Sequence, residues 1–114
     1  MSKYTSVFII PINTTKELSS DGWIFKSDIA LSPNIIDILI DRFNLIKAEE
    51  YIGIISFSGN SIQVNVTTNK SSDIEFIHIK FYTDDINYIK TELNIDKIVS
   101  CAELFIPSHN NFIE

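Results

Sequence analysis

The apolar positions of this chain repeat in two rhythms, a strand period of two and a helical period of 3.6, and the switches between them mark out its elements. Over positions 4–12, Tyr4, Ser6, Phe8, Ile10 and Ile12 alternate with Thr5, Val7, Ile9 and Pro11, and both sets are apolar in the middle. That predicts a strand buried on both faces and internal to a sheet. Pro11 has no N–H to give to a ladder and marks its end. A polar run follows, in which Thr14 and Glu17 have capping-box spacing for one helical turn or else belong to a loop. After the turn signal Asp21-Gly22, the residues Trp23, Phe25, Ile29 and Leu31 share one face of a second predicted strand, with Ile24, Lys26, Asp28 and Ala30 opposite.

Ser32-Pro33 is a helix start, Ser as N-cap and Pro at the first helical position. Ile36, Leu39, Ile40, Phe43 and Ile46 then form an apolar stripe, and Asp37, Asp41 and Asn44 form the opposing face. Residues 51–57 and Ile62–Thr68 read as strands of a hairpin turning through Ser58-Gly59-Asn60-Ser61. The second of these alternates cleanly, with Ile62, Val64 and Val66 inward and Gln63, Asn65 and Thr67 outward. The richest apolar supply lies in 74–106, which reads strand (74–83), helix (84–93), strand (97–106), a spacing suited to a right-handed crossover between parallel strands. Its helix echoes the first, since Ile36, Leu39 and Phe43-Asn44 are matched in spacing by Ile86, Ile89 and Leu93-Asn94.

These elements predict one α+β domain over residues 1–114, with a polar tail at 108–114. The expected architecture is a two-layer sandwich with a mixed, mostly antiparallel sheet of about five to six strands and two main helices, in a ββαβ-ββαβ or ferredoxin-like arrangement.

Composition fits one core, because two cores in 114 residues would each be marginal, and 45% hydrophobic residues are ample for one. Charge narrows the partners. Lys and Arg total 9 against 15 Asp and Glu, a formal net charge of −6. That sign repels phosphate backbones and anionic lipid, so neither nucleic acid nor a membrane surface is an expected partner, and it favours encounter with basic proteins. The plain alternative is an acidic surface kept for solubility. Heavy use of Ile, Asn and Lys, with Arg42 the only arginine, suggests an AT-rich bacterial, phage or mobile-element origin. Cys101 is the only cysteine, so no internal disulfide forms. No apolar run approaches the ~18 residues of a membrane span, and the run at 7–10 is too short for a signal peptide; the expected location is cytoplasmic.

Candidate chemistry is sparse. His78 lies mid-strand and shares a face with Phe76, Lys80 and Tyr82. A His-Lys-Tyr row suits acid–base work, but no second acid–base group is fixed by spacing, and the outer, half-solvated face of a sheet is the better explanation. Cys101 sits in an apolar strand as a small hydrophobe. Glu103, in the same strand, either faces solvent or pairs with a lysine such as Lys80. Asp84-Asp85, with Thr83 as a cap, complement a helix dipole. The chain has none of the phosphate-loop, EF-hand, zinc-protease or nucleophile-elbow motifs, so no catalytic residue, cofactor or metal is expected.

A compact acidic domain without visible chemistry is expected to act by binding another protein. The expected function is that of a small inhibitor, in its most natural bacterial form an immunity protein that occludes the active site of a basic, nuclease-type toxin. The partner-facing candidates are Asp37, Asp41, Glu49, Glu50, Asp84 and Asp85, with Trp23 and Tyr51 as aromatic anchors. A phage-borne antagonist of a host defence protein would look the same. The alternatives are a small enzyme or ligand-binding domain using His78, Lys80 and Tyr82, and a domain that self-associates through the strand Ile62–Thr68 or a neighbouring edge. The expected state is a monomer or weak dimer.

Overall fold

Antiparallel pairing organises the chain. The computed structural model describes residues 4–20, 22–83, 85–94 and 102–107. In chain order the elements are β1 (Thr5–Pro11), β2 (Thr15–Ser19), β3 (Gly22–Lys26), α1 (Asn34–Phe43), β4 (Ile46–Tyr51), β5 (Ile54–Gly59), β6 (Ile62–Thr68), β7 (Ile74–Phe81), α2 (Ile86–Leu93) and β8 (Ala102–Phe105). Six strands form one sheet in the order β4-β5-β6-β7-β1-β8, and β2 and β3 pair as a separate hairpin. The fold is α+β.

β1 is internal, as its double burial predicts. It pairs antiparallel with β7 on one side and β8 on the other. β7 and β8 therefore run in the same direction, but with β1 between them. The sheet is antiparallel at every pairing rather than mixed, because the first strand of the chain occupies the place where a parallel neighbour was expected. β6 is also internal, between β5 and β7. Its backbone groups are already paired, so it is not the strand that self-association would use.

Strand alternation gives the sheet two different faces. On the first, Val7 and Val64 flank Ile79, and Ile9 and Val66 flank Ile77. These side chains are buried in one core with Ile35 and Leu39 of α1 and Ile89 and Leu93 of α2. Each fully buried aliphatic side chain of this kind contributes about 1.5–3 kcal/mol. Arg42 at the end of α1 meets Glu92 of α2 at 3.4 Å. On the second face the β2–β3 hairpin covers β1. Phe25 lies 4.9 Å from Phe8 and 5.0 Å from Phe76, and Trp23 stands edge-on to Phe105 at 4.8 Å. This is why neither side of β1 is polar in its middle.

Several boundaries differ from the sequence expectation, each for a local reason. α1 ends at Phe43 because Asn44 adopts the left-handed conformation (φ 53°), and the N–H of Leu45 returns to the carbonyl of Ile40 at 3.0 Å. Ile46 therefore leaves the helical stripe and opens β4. Residues 51–57 are not one strand: Tyr51 ends β4, Ile52-Gly53 turns with Gly53 at φ 84°, and β5 follows. β3 stops at Lys26, so Ile29 is exposed, while Leu31 is buried and its N–H donates to Ile74 O at 3.0 Å. Thr14 caps no helix; its hydroxyl donates to Pro11 O at 2.6 Å, and Glu17 lies in β2. The cap of α2 is Asp85, whose Oδ1 accepts from Tyr88 N–H at 3.1 Å; Thr83 Oγ1 accepts the Asp85 N–H at 3.2 Å. The expectations for Asp21, Asp84, Cys101 and the tail 108–114 lie outside the described residues.

Candidate functional site

Two regions of the second sheet face stand out: a row that runs from Phe8, at the margin of the hairpin, across β7, β6 and β5, and the edge strand β4. In the row, Phe8 on β1 lies opposite His78 on β7, which lies opposite Asn65 on β6, which lies opposite Ser56 on β5. Opposed residues in an antiparallel pair have their side chains in contact range. The His78 ring stacks on Phe8 at 4.4 Å with an interplanar angle of 11°. Its Nε2 is 3.0 Å from the hydroxyl of Ser6, the diagonal neighbour. Ser56 Oγ donates to Asn65 Oδ1 at 2.7 Å.

Burial removes water from the His78 ring, and the Lys80 ammonium nearby disfavours a second cation. Together they lower its pKa from 6.5 to about 4. At neutral pH the imidazole is uncharged. If Nε2 carries no proton, it accepts from the Ser6 hydroxyl. A hydroxyl held by a neutral imidazole resembles half of a nucleophilic site, but the described residues supply no carboxylate on the other ring nitrogen. Lys80 is not drawn into it. Its Nζ sits 5.1 Å from the centre of the Tyr4 ring, and Tyr4 meets Tyr82 edge-on at 6.0 Å. The expected His78-Lys80-Tyr82 row is thus divided: His78 turns to Ser6 and Phe8, and Lys80 and Tyr82 turn to Tyr4. Sequence inspection missed Ser6, Asn65 and Ser56. Only the pairing of β1 with β7, more than seventy residues apart, brings Ser6 to the histidine.

Glu103 pairs with Lys16 of β2 at 3.0 Å rather than with Lys80. β1 separates β8 from β7, whereas the hairpin lies directly over β8. The same Lys16 ammonium is 5.7 Å from the centre of the Phe105 ring. The pair pins the hairpin to the sheet, and Trp23, half-buried against Phe105, serves the same attachment.

The edge strand differs in kind. All six residues of β4 are exposed, and its only neighbour among the described residues is β5. A bulge between Lys47 and Glu49 shifts the register. It sets Glu49 and Tyr51 beside Ser56 and Ile54 on the second face, and Lys47 and Glu50 beside Phe57 and Ile55 on the first. Both pairs then interact. Tyr51 Oη donates to Glu49 Oε2 at 2.6 Å, and Lys47 forms an ion pair with Glu50. The hydrogen bond to Glu49, followed by its negative charge, raises the Tyr51 phenol above its usual value of 10.0. Asp37 and Asp41 are exposed on α1, the helix that leads directly into β4, and Asp85 is exposed at the cap of α2. The structure thus gathers Glu49, Glu50 and Tyr51 on one strand and leaves Trp23 in the hairpin and Asp85 on another helix.

A cleft of about 350 Å³ lies between the end of β3 and the start of β7, with Asp28, Asp73, Glu75 and Lys26 in its wall. Among the described residues no three His, Cys, Asp or Glu side chains are grouped to hold a metal ion, and no helix is long and apolar enough to cross a membrane. The chain matches no family model, no curated protein and no solved structure.

Proposed function

We propose that the protein is a small inhibitor that binds a basic protein partner, and that it acts as a bacterial immunity protein, covering the active cleft of a nuclease-type toxin in the cytoplasm. A phage-borne antagonist of a host defence nuclease would use the same surface. The observation that carries the proposal is β4: an edge strand on which every residue is exposed, carrying Glu49, Glu50 and Tyr51 and reached from the acidic helix α1. An acidic patch with exposed apolar neighbours attracts a cationic surface at long range and offers it contact area at short range. The scaffold is then a two-layer sandwich in which β2-β3-α1-β4 and β6-β7-α2-β8 are two ββαβ units and α1 and α2 share one face of the sheet.

The experiment is affinity capture of a basic protein from the source cell, followed by binding measured against salt. The expected outcome is one dominant basic partner whose affinity falls as salt rises and drops at least tenfold with Asp37→Lys/Asp41→Lys. An affinity indifferent to both salt and charge reversal sinks the proposal.

One observation favours a second function, a small hydrolase or ligand-binding domain: the 3.0 Å approach of Ser6 and His78. Its test is direct. Any hydrolytic or binding activity found for the protein must disappear in both Ser6→Ala and His78→Ala.

A further inference from the structure

We infer that β4 is a strand-addition site: an extended, lysine- or arginine-bearing segment of a partner protein pairs with its open edge as a seventh strand of the sheet. This rests on the basic-partner function proposed above and specifies where and how that partner binds.

The open edge is the first observation. β4 is the terminal strand of the sheet, paired with β5 alone among the described residues. Among the described residues no strand takes up the backbone N–H and C=O groups on its far side, and such main-chain groups supply affinity in strand-addition complexes. The second observation is apolar exposure at the same edge. Ile46 is 72% exposed, Tyr51 62%, and Ile52, at the turn into β5, is fully exposed. Both ends of the strand therefore offer apolar contact to a chain lying alongside.

Charge selects the occupant. Beyond the bulge, Glu49 and Glu50 point to opposite faces of β4; Lys47 already pairs with Glu50 on the first face, so the cationic side chains of an added strand meet an uncompensated carboxylate on the second face, at Glu49. Glu49 is already oriented by the Tyr51 hydroxyl at 2.6 Å. A second copy of this chain is the wrong occupant. It brings another net charge of −6 and another pair of edge glutamates. The bulge and Lys47 are features that blunt an edge against its own kind. Beyond the bulge, Glu49, Glu50 and Tyr51 pair with β5 in continuous register, which leaves a short regular segment for a partner to extend.

The test uses the full chain and two synthetic eight-residue peptides, one alternating Lys and Val, the other alternating Glu and Val. Amide hydrogen exchange is followed by NMR. The lysine peptide is expected to slow exchange of β4 amides at least tenfold at saturation and to leave α1 amides unchanged, while the glutamate peptide has no effect. Glu49→Lys/Glu50→Lys should weaken the lysine peptide at least tenfold. Both positions are exposed, so the core is unaffected, and an unchanged urea midpoint confirms this. Lys-peptide protection confined to α1 or absent altogether, equal protection by the glutamate peptide, or a concentration-dependent dimer that protects β4 without peptide, each overturns the assignment. If the edge fails this test while Asp37→Lys/Asp41→Lys still weakens a captured basic protein, the inhibitor function stands and only the mode of binding falls. If the edge binds the lysine peptide and no captured partner depends on charge, the reverse holds.

Discussion

The Ser6 hydroxyl and Nε2 of His78 lie 3.0 Å apart on diagonal positions of the β1–β7 pair, while the ring of His78 stacks on Phe8 directly opposite. The folded imidazole gains its proton only near pH 4, although an imidazole in an unfolded chain ionises near 6.5. Between these values the unfolded chain binds a proton that the folded ring refuses. Stability is therefore fully present above pH 6.5 and is lost as the pH falls from 6.5 to about 4. With allowance for solvent reaching part of the ring, the loss is about 1–2 kcal/mol. Urea midpoints at pH 7 and pH 4.5 check it. His78→Gln keeps an acceptor but cannot titrate, so its midpoint should fall less than that of the wild type over the same interval.

At the other end of the sheet, Tyr51 donates to Glu49 across one intervening residue of β4. The bond stabilises the protonated phenol, and the carboxylate charge opposes its ionisation, so Tyr51 titrates above 10.0. Glu49→Gln removes the charge and weakens the acceptor. The Tyr51 titration, followed by NMR, should move back toward 10.0 in that variant, with the other tyrosines unmoved. No movement would mean that the two side chains are not joined in solution and that the β4 carboxylate is not held in place.

Gly59 closes β5 against the end of α1. A Cβ at this position would lie 3.0 Å from Ile62 Cγ2, Leu45 Cδ2 and the carbonyl oxygen of Phe43. The two side-chain atoms have some freedom to move, but the carbonyl belongs to the last turn of a helix. Gly59→Ala is expected to cost about 1–3 kcal/mol, in the range of overpacked sites. Thermal or urea unfolding measures it. A neutral result would show that α1 docks less tightly than this contact requires.

How much was legible in the sequence depended on burial. β1 shows itself because Val7, Phe8, Ile9 and Ile10 are buried on both sides, and β6 because Ile62, Val64 and Val66 alternate with polar residues. The helices show their stripes because Ile35, Leu39, Ile89 and Leu93 face a single core. β4 leaves no such trace. All its residues are exposed, so nothing selects an apolar period, and Ile46 happens to extend the spacing of the α1 stripe. Its signal was the helix stop at Asn44, a residue suited to the left-handed conformation found there. β2 was hidden in the same way, since Thr15, Lys16, Glu17 and Leu18 carry no buried apolar alternation. At the candidate site, Glu49, Glu50 and Tyr51 were identifiable as residue types. Their gathering on an open edge was not, because it depends on which strand ends the sheet. Ser6 gained meaning only from a pairing between distant parts of the chain.

The β2–β3 hairpin offers the sharpest test of the packing on the second face. It is a two-stranded unit, too small to be stable alone, so its place depends on what it touches. Phe25 supplies most of that contact, against Phe8 at 4.9 Å, Phe76 at 5.0 Å and Phe105 at 6.0 Å. Lys16 and Glu103 add an ion pair that is partly open to water and correspondingly weak. Truncating the ring should therefore matter much more than removing the charge. Phe25→Ala is expected to cost about 2–4 kcal/mol, somewhat below a fully buried phenylalanine, and Lys16→Ala under about 1 kcal/mol. Trp23 is the only tryptophan and lies 4.8 Å from Phe105, so its fluorescence reports whether the hairpin is seated. In Phe25→Ala the emission should shift to the red at lower urea than the far-UV signal of the main sheet, as a local detachment preceding global unfolding. In the wild type the two probes should coincide. If Phe25→Ala leaves the fluorescence and the urea midpoint unchanged, the hairpin is not held by this aromatic cluster.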